Sequence, residues 1–454
     1  MKNFEIEFRW ENFRSFIDTK WITIKPITIF IGQNGSGKTS LLQPFILLGQ
    51  TLESEDKLVP LMTVGDYVNA GTFRDIVHNH ITNQDIKFSI RFKSRMSSRR
   101  QMKEIGQNPP SFLSVSFSQE SGFLPKLKRY IVRDEFGRLL LARSLKKAGG
   151  YTLKFCKSFP RKRSNEIRLY KNIMGQTPRH FVFDDTPIVR KEIESKSKRM
   201  LSQELKFPPA ASLYLRVTAY IQLRLFRFLS SMKYLGPLRD SPKRFYEFRG
   251  EHHSEVGCRG QFIHSVLFHL KQLKNEGKSL DHWLKFFGLA KELKCNPIKQ
   301  PGLIEILVKP MNSNFQVNVS DTGFGLSQLL PLIVQAVTAQ EEDIIITEQP
   351  EIHLNPKLES HLADFFTSMI KEKKNFIIET HSEHFILRLR TLIKAGKVSP
   401  EDVAIYFTEN TEHGSTVDKI EVDKNGEFIK NNWPKGFFEE ALTESLRFIT
   451  LKKR

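Results

Sequence analysis

The chain has 454 residues, 39% apolar and 26% charged, a balance that builds globular cores for roughly two to three domains and excludes a disordered chain. Its net charge is +20, and residues 86–200 alone hold 28 Lys/Arg against 9 Asp/Glu, so nearly all of the excess sits in one stretch. The longest apolar run, residues 326–337, is too short to span a bilayer, no apolar leader follows Met1, and Cys156, Cys258 and Cys295 form no CxxC pair; membrane insertion, secretion, a zinc site and a disulfide scaffold are not expected, and a cytoplasmic protein is.

In chain order, residues 4–9 and 21–31 have the apolar and aromatic spacing of strands. The second ends in Ile27-Thr28-Ile29-Phe30-Ile31 and enters a glycine-rich loop, after which residues 41–48 read as a helix. Residues 86–92 and 111–117 alternate like half-buried strands, with a basic, flexible loop expected over 93–110. Short strand-like runs fill 127–185, and a helical pattern covers 190–232, interrupted at Pro208-Pro209. Helices are expected at about 260–290, strands at 303–308 and 315–319, and a helix at 326–338. Buried strands at 343–347 and 375–379 alternate with helices at 357–371 and 382–396, and strands at 403–408 and 416–422 follow. There is no internal repeat and no sustained heptad, so no long coiled-coil arm is expected.

Residues 32–39, Gly-Gln-Asn-Gly-Ser-Gly-Lys-Thr, match G-x-x-x-x-G-K-[ST] in full. The glycines let backbone N–H groups wrap phosphates, Lys38 reaches the β- and γ-phosphates, and the Thr39 hydroxyl ligates Mg2+. The following helix N-terminus adds a favourable field. Gly32, Asn34, Gly35, Ser36, Gly37, Lys38, Thr39 and Ser40 are therefore the expected nucleotide-binding residues, with ATP and Mg2+ as ligands.

Three later segments complete a pattern. Ile344-Ile345-Ile346-Thr347-Glu348-Gln349-Pro350-Glu351 is a buried strand ending in carboxylates, where Glu348 is the natural Mg2+ acid and Glu351 a second carboxylate. Phe376-Ile377-Ile378-Glu379-Thr380-His381-Ser382 ends a second strand, and the T-x-x-E spacing from Thr380 to Glu383 predicts a capping box. His381 then falls at the sheet's C-terminal edge, placed to sense a γ-phosphate. Asp321-Thr322-Gly323-Phe324-Gly325-Leu326-Ser327-Gln328 is a glycine-rich turn opening a helix, a local anion site.

With these motifs, and with Asn12-Phe13-Arg14-Ser15-Phe16 before the glycine-rich loop, the chain resembles the SMC/RecF-like ABC ATPases. It looks closer still to prokaryotic AAA family ATPases that carry a small C-terminal domain of unknown function and occur in anti-phage defence systems. DTGFGLSQLLP (321–331), EQPEIHLNP (348–356), ETHSEHFILRLR (379–390), YLGPLR (234–239) and NWPKGFF (432–438) carry that likeness, which covers residues 1–50 and about 230–454.

The resemblance implies an α/β fold, a P-loop NTPase of ABC/SMC-head type with a basic, mixed α/β insertion. Residues 1–85 and 233–400 would be the two parts of the head, 86–232 the insertion and 401–454 a small C-terminal region. It also implies that Gly325 and Ser327 belong to a signature that reaches ATP on another subunit, that Glu348 is the Walker B acid and that His381 is the switch. One departure stands out. Gln349 occupies the place of the water-activating Glu, and an amide takes no proton, so either Glu351 substitutes or hydrolysis is slow.

Related heads often continue into a nuclease domain, and no paired Asp-x-Asp follows His381, so destructive activity is expected in a separate effector, a nuclease or toxin. A homo-oligomer, a dimer or an assembly of dimers, is the expected state. The basic stretch 86–200 suits either an acidic partner or nucleic acid. A defence sensor or scaffold, a RecF-like repair ATPase and, least favoured, a transporter ATPase are the competing functions.

Overall fold

The computed structural model describes residues 6–92, 109–119, 124–155, 178–183, 209–270, 274–298 and 302–429. The loop expected within 93–110 (up to residue 108), the helical pattern before residue 209, Cys156 and the 432–438 motif lie outside these residues. Strands β1 (Ile6–Phe13), β2 (Phe16–Asp18), β3 (Ile22–Ile24) and β4 (Ile27–Gly32) precede helix α1 (Lys38–Glu53) and the one-turn α2 (Phe73–Ile76). Strands β5 (Ile86–Phe92), β6 (Pro110–Ser118), β7 (Lys126–Asp134), β8 (Leu139–Leu145), β9 (Tyr151–Phe155), β10 (Pro178–Arg179) and β11 (Val182–Phe183) lead to α3 (Pro209–Ser230). Then come β12 (Met232–Leu235), β13 (Tyr246–Glu247), α4 (Ile263–Leu270), α5 (Lys274–Phe286), β14 (Glu292–Pro297), β15 (Leu303–Lys309), β16 (Val317–Asn318) and α6 (Phe324–Thr338). The chain continues through β17 (Ile344–Glu348), α7 (Pro356–Met369), β18 (Asn375–Glu379), α8 (Glu383–Lys394), β19 (Val403–Thr411) and β20 (Gly414–Ile420).

Two compact units result, one of residues 1–23, 40–230 and 411–416, the other of 24–39, 231–410 and 417–454. The first is built on an antiparallel sheet in the order β2-β1-β5-β6-β7-β8-β9, with β3 also paired to β1. Alternation puts Phe8 and Trp10 on its inner face, where they meet Phe45 of α1 at 4.8 and 5.0 Å between ring centroids. Phe45 in turn meets Phe228 of α3 edge-on. The Trp10 indole N–H donates to the Leu41 carbonyl at 3.0 Å, so its one polar atom is satisfied in the core.

The second unit holds a six-stranded sheet in the order β12-β17-β18-β4-β19-β20, with β12, β17, β18, β4 and β19 all parallel. Every residue of β4, β17 and β18 is buried, which their continuous apolar runs require of strands covered on both faces. Helix α8 buries Phe385, Ile386, Leu389, Leu392 and Ile393, a helical-period stripe that packs it onto this core. A smaller antiparallel sheet, β13-β15-β14 with β16, sits in the same unit.

The strand expected over 21–31 is two strands. Pro26 lacks an N–H and lies between them; β3 pairs with β1 in the antiparallel sheet, while β4 enters the parallel one. The strand expected at 315–319 is a two-residue bridge followed by a 3-10 turn at Val319–Asp321. Cys258 and Cys295 are free, buried thiols. Among the described residues no helix is long and apolar enough to cross a membrane.

Candidate nucleotide site

The C-terminal edge of the parallel sheet gathers the polar ends of β4, β17 and β18. β18 lies between the other two, with Glu379 in register with Glu348 on one side and Phe30 on the other. The loop after β4 is held by side chains from β19. Gly32 has φ +152, and a Cβ there would lie 2.3 Å from the Thr408 carbonyl oxygen, so only glycine fits. The Ser36 and Thr408 hydroxyls are 2.6 Å apart, and Thr408 Oγ1 also donates to the Ile31 carbonyl. Gly35 has φ +75 with open space around it, and it lies with Gln33 and Asn34 at the exposed tip of the loop. Gly37 has φ +96, and Ser40 is buried in the first turn of α1.

Lys38 is the first residue of α1 and is 4% exposed. Its ammonium donates to the carbonyls of Gly32 at 3.0 Å and Gln33 at 2.7 Å, and burial pulls its pKa below the usual lysine value. The next hydroxyl, Thr39 Oγ1, donates to Glu379 at 2.9 and 3.1 Å from its two oxygens. Burial pushes the Glu379 carboxyl up to about 7, and the Glu348 charge beside it adds to the shift.

The expected acid Glu348 is 4% exposed and raised by burial, and its Oε1 accepts the Tyr234 hydroxyl of β12 at 2.7 Å. Burial also raises Tyr234 above its ordinary value. Gln349 adopts φ +43, a left-handed backbone uncommon for a side-chain-bearing residue, and its N–H donates to the Glu379 carbonyl at 2.7 Å. Glu351 accepts the His381 N–H at 2.7 Å and is raised by burial. Burial, helped by the charge of Lys38, pulls the His381 imidazole down to about 4, so the ring is neutral near pH 7. Glu348, Gln349, Glu351 and His381 thus stand together, with Glu379 as a further member.

The expected capping box at Thr380–Glu383 is absent. The N-cap of α8 is Ser382, whose hydroxyl accepts the Phe385 N–H at 3.1 Å and donates to Glu359 at 2.5 Å. Thr380 Oγ1 instead accepts the Ser382 N–H, because the backbone enters the helix two residues later than the spacing suggests.

The signature turn opens α6, with Gly323 as N-cap. Ser327 is buried and lines a cavity of about 450 Å3 with Asp240, Lys243, Tyr246 and His264, and Gly325 packs close to the His353 carbonyl. Pro331 inside α6 has no N–H to return to the Ser327 carbonyl. One residue on, the Gln328 carbonyl accepts Arg239 Nη1 at 2.7 Å, while Arg239 Nη2 lies 3.4 Å from both Thr347 Oγ1 and the Glu348 carbonyl. Arg239 is 6% exposed, and burial pulls it down to about 10. Tyr234 and Arg239 were visible in the sequence only as part of the YLGPLR segment, Glu379 only as a polar strand end.

The donors fit Mg2+ held with a nucleotide: one hydroxyl and carboxylates, all hard oxygen ligands. Among the described residues no group of three or more His, Cys, Asp or Glu forms a metal cage. A nucleotide-bound Mg2+ needs none, since phosphate and water supply its remaining ligands.

A parallel sheet with one strand between the P-loop strand and the acidic strand, a glycine turn opening α6 in the same unit, and an antiparallel sheet in the other unit define a P-loop NTPase of ABC/SMC-head type. The chain belongs to the AAA ATPase domain family, which matches residues 1–196 and 263–386; a family described as a protein of unknown function, DUF3696, matches 398–447. No curated protein matches the chain. Among solved structures it is similar to the SMC head domain from Thermotoga maritima, at 11% identity and TM-score 0.37 over 92% of this chain and 99% of that one. It is also similar to an SMC head bound to the C-terminal winged-helix domain of ScpA, at 13% identity and TM-score 0.40 over 93% and 98% of the two chains. A third is an SMC head with an extended coiled coil bound to the C-terminal domain of ScpA, from Pyrococcus furiosus, at 11% identity and TM-score 0.40 over 98% of both chains.

Proposed function

We propose that this P-loop ATPase binds ATP tightly and hydrolyses it slowly, acting as a sensor or scaffold that controls a separate effector protein in anti-phage defence. The observation that carries slow turnover is Gln349. It stands immediately after the acidic strand end, in a left-handed backbone held by its bond to Glu379, where a proton-accepting carboxylate would activate water. An amide orients water without taking its proton. Glu351, the other candidate base, accepts the His381 N–H on one of its carboxylate oxygens.

In this reading the N–H groups from Asn34 to Lys38 and the Lys38 ammonium bind the β- and γ-phosphates, and a phosphate there competes with the Gly32 and Gln33 carbonyls for Lys38. Thr39 turns its hydroxyl to the metal site. Mg2+ supplies neutralisation of charge on the transferred phosphoryl group. The neutral His381 ring is free to donate one N–H toward a γ-phosphate oxygen. The likeness to defence ATPases supports the effector role.

The concentration of positive charge in 86–200 supports a second reading, a RecF-like DNA-binding ATPase in repair. Binding of a fluorescent ATP analogue to wild type and Lys38→Ala, paired with steady-state phosphate release, tests the first. Wild type is expected to bind analogue with turnover well below 1 per second, on the order of the slow end for such enzymes, and Lys38→Ala to lose binding at least tenfold. Equal binding by both proteins removes the site from residues 32–39.

A further inference from the structure

We propose that Arg239 is a positioning residue of this ATPase, whose guanidinium fixes the peptide joining Glu348 to Gln349 against helix α6. The inference rests on the proposed ATPase reading and adds to it a residue that acts through Glu348 and Gln349. That peptide is gripped at both ends. Its N–H, on Gln349, donates to the Glu379 carbonyl at 2.7 Å. Its carbonyl, on Glu348, lies 3.4 Å from Arg239 Nη2, as does Thr347 Oγ1. The grip has strain to hold. Gln349 stands at φ +43, a backbone that a residue with a side chain keeps only where its surroundings over-determine it. With the carbonyl end released, Gln349 relaxes toward ordinary φ and its side chain turns away from the sheet edge.

The other arm of the fork belongs to a different element. Arg239 Nη1 donates to the Gln328 carbonyl of α6 at 2.7 Å, so one planar group spans the helix and the end of β17. A lysine ammonium, a point charge, reaches one side or the other. The helix is a hydrogen bond short at this turn, because Pro331 has no N–H for the Ser327 carbonyl, and Arg239 takes the neighbouring carbonyl. Arg239 is itself pinned by the chain around it. The Gly236 and Asp240 N–H groups donate to the Cys258 and Arg259 carbonyls, each at 2.8 Å, and Asp240 pairs with Arg259 at 2.9 Å.

Folding alone does not account for a cation here. Arg239 is 6% exposed, its partners at Gln328, Thr347 and Glu348 are neutral oxygens, and its Nε has no hydrogen-bond partner. Burying a charge in that way costs stability, and an apolar side chain of similar volume would avoid the cost. What the guanidinium supplies, and an apolar residue does not, is the fixed place of the Glu348–Gln349 peptide.

The test compares full-chain wild type, Arg239→Met, Arg239→Lys and Lys38→Ala. Turnover of radiolabelled ATP gives kcat and KM, a non-hydrolysable fluorescent analogue gives binding, and thermal unfolding gives stability. Arg239→Met removes the fork without leaving a buried charge, so the fold should be kept. Its KM and analogue affinity should stay within about threefold of wild type while kcat falls. The fall should be about ten- to a hundredfold, the scale of a small misplacement at a reacting centre, with Arg239→Lys between the two.

A folded Arg239→Met with kcat within twofold of wild type overturns the proposal. So does a loss of kcat that comes with an equal loss of analogue binding and a lowered unfolding midpoint, the mark of a merely structural residue. Wild-type turnover no higher than that of Lys38→Ala would instead overturn the ATPase reading, and this inference with it. If Arg239→Met does not fold, Arg239→Lys, which keeps the charge, carries the test alone. A lowered kcat with analogue binding kept supports the assignment, and wild-type kcat overturns it.

Discussion

Gln349 meets two demands at once. Its backbone sits at φ +43 so that its N–H can reach the Glu379 carbonyl, tying the end of β17 to the end of β18. Its side chain, in the proposed function, takes the place of the residue that activates water. Gln349→Glu should raise turnover about ten- to a hundredfold, toward the 10²–10⁴ that a positioned general base contributes. The gain is held below the full range because a fourth carboxyl joins Glu348, Glu351 and Glu379, whose ionised forms burial at this edge already disfavours. Gln349→Gly is the matched control: glycine suits the left-handed backbone, so the fold is kept and only the side chain is lost. Phosphate release under saturating ATP measures both. Wild-type turnover in Gln349→Glu would mean that water is activated elsewhere, with Glu351 the next residue to replace.

Between elements, the site depends on how β18 is clamped. Phe366 of α7 is fully buried and meets Phe376 of β18 at 4.7 Å and Phe385 of α8 at 5.8 Å, joining three elements through one ring. Removing that ring should cost about 3–5 kcal/mol in Phe366→Ala, and clearly less in Phe366→Leu, which keeps most of the volume. Chemical denaturation monitored by circular dichroism gives the comparison, and near-equal midpoints for wild type and Phe366→Ala would show that this junction adds little. The strands behind the site were legible because sheets covered on both faces need unbroken apolar runs, which β4, β17 and β18 have. The loop at residues 32–39 was legible because phosphate binding constrains residue types at fixed spacing. What was not legible is lateral order. Nothing local in Phe376-Ile377-Ile378-Glu379 says that β18 inserts between β4 and β17, yet that insertion brings Glu379 to Thr39. The same holds for the break at Pro26, where β3 and β4 part into different sheets, and for Tyr234, whose hydroxyl finds Glu348 114 residues away.

At the scale of the whole molecule, the resemblance to ABC/SMC-type heads implies that two copies close on ATP, and Gly323 is a part of the signature turn that is exposed in the single chain. Ser327 is buried within its own chain, whereas Gly323 is exposed at the N-cap of α6, with φ −66 and no atom near the place a Cβ would occupy. A side chain at residue 323 is therefore tolerated by the isolated chain, since its backbone is ordinary and its surroundings open. In a closed dimer the same side chain would stand between the turn and the partner's nucleotide, where only backbone can approach. Gly323→Gln should leave analogue binding by the monomer within about twofold, because α6 keeps a workable N-cap, and abolish ATP-dependent association. Native mass measurement with and without ATP, on protein expressed with its genomic neighbours, reads this directly. It also separates the two functions: a larger assembly holding a second protein supports the defence scaffold, while an ATP-driven dimer alone, with DNA affinity that falls steeply as salt rises, supports the repair reading. If Gly323→Gln dimerises on ATP as wild type does, the signature turn is not the closing surface, and the contact must be sought on another face of the same unit.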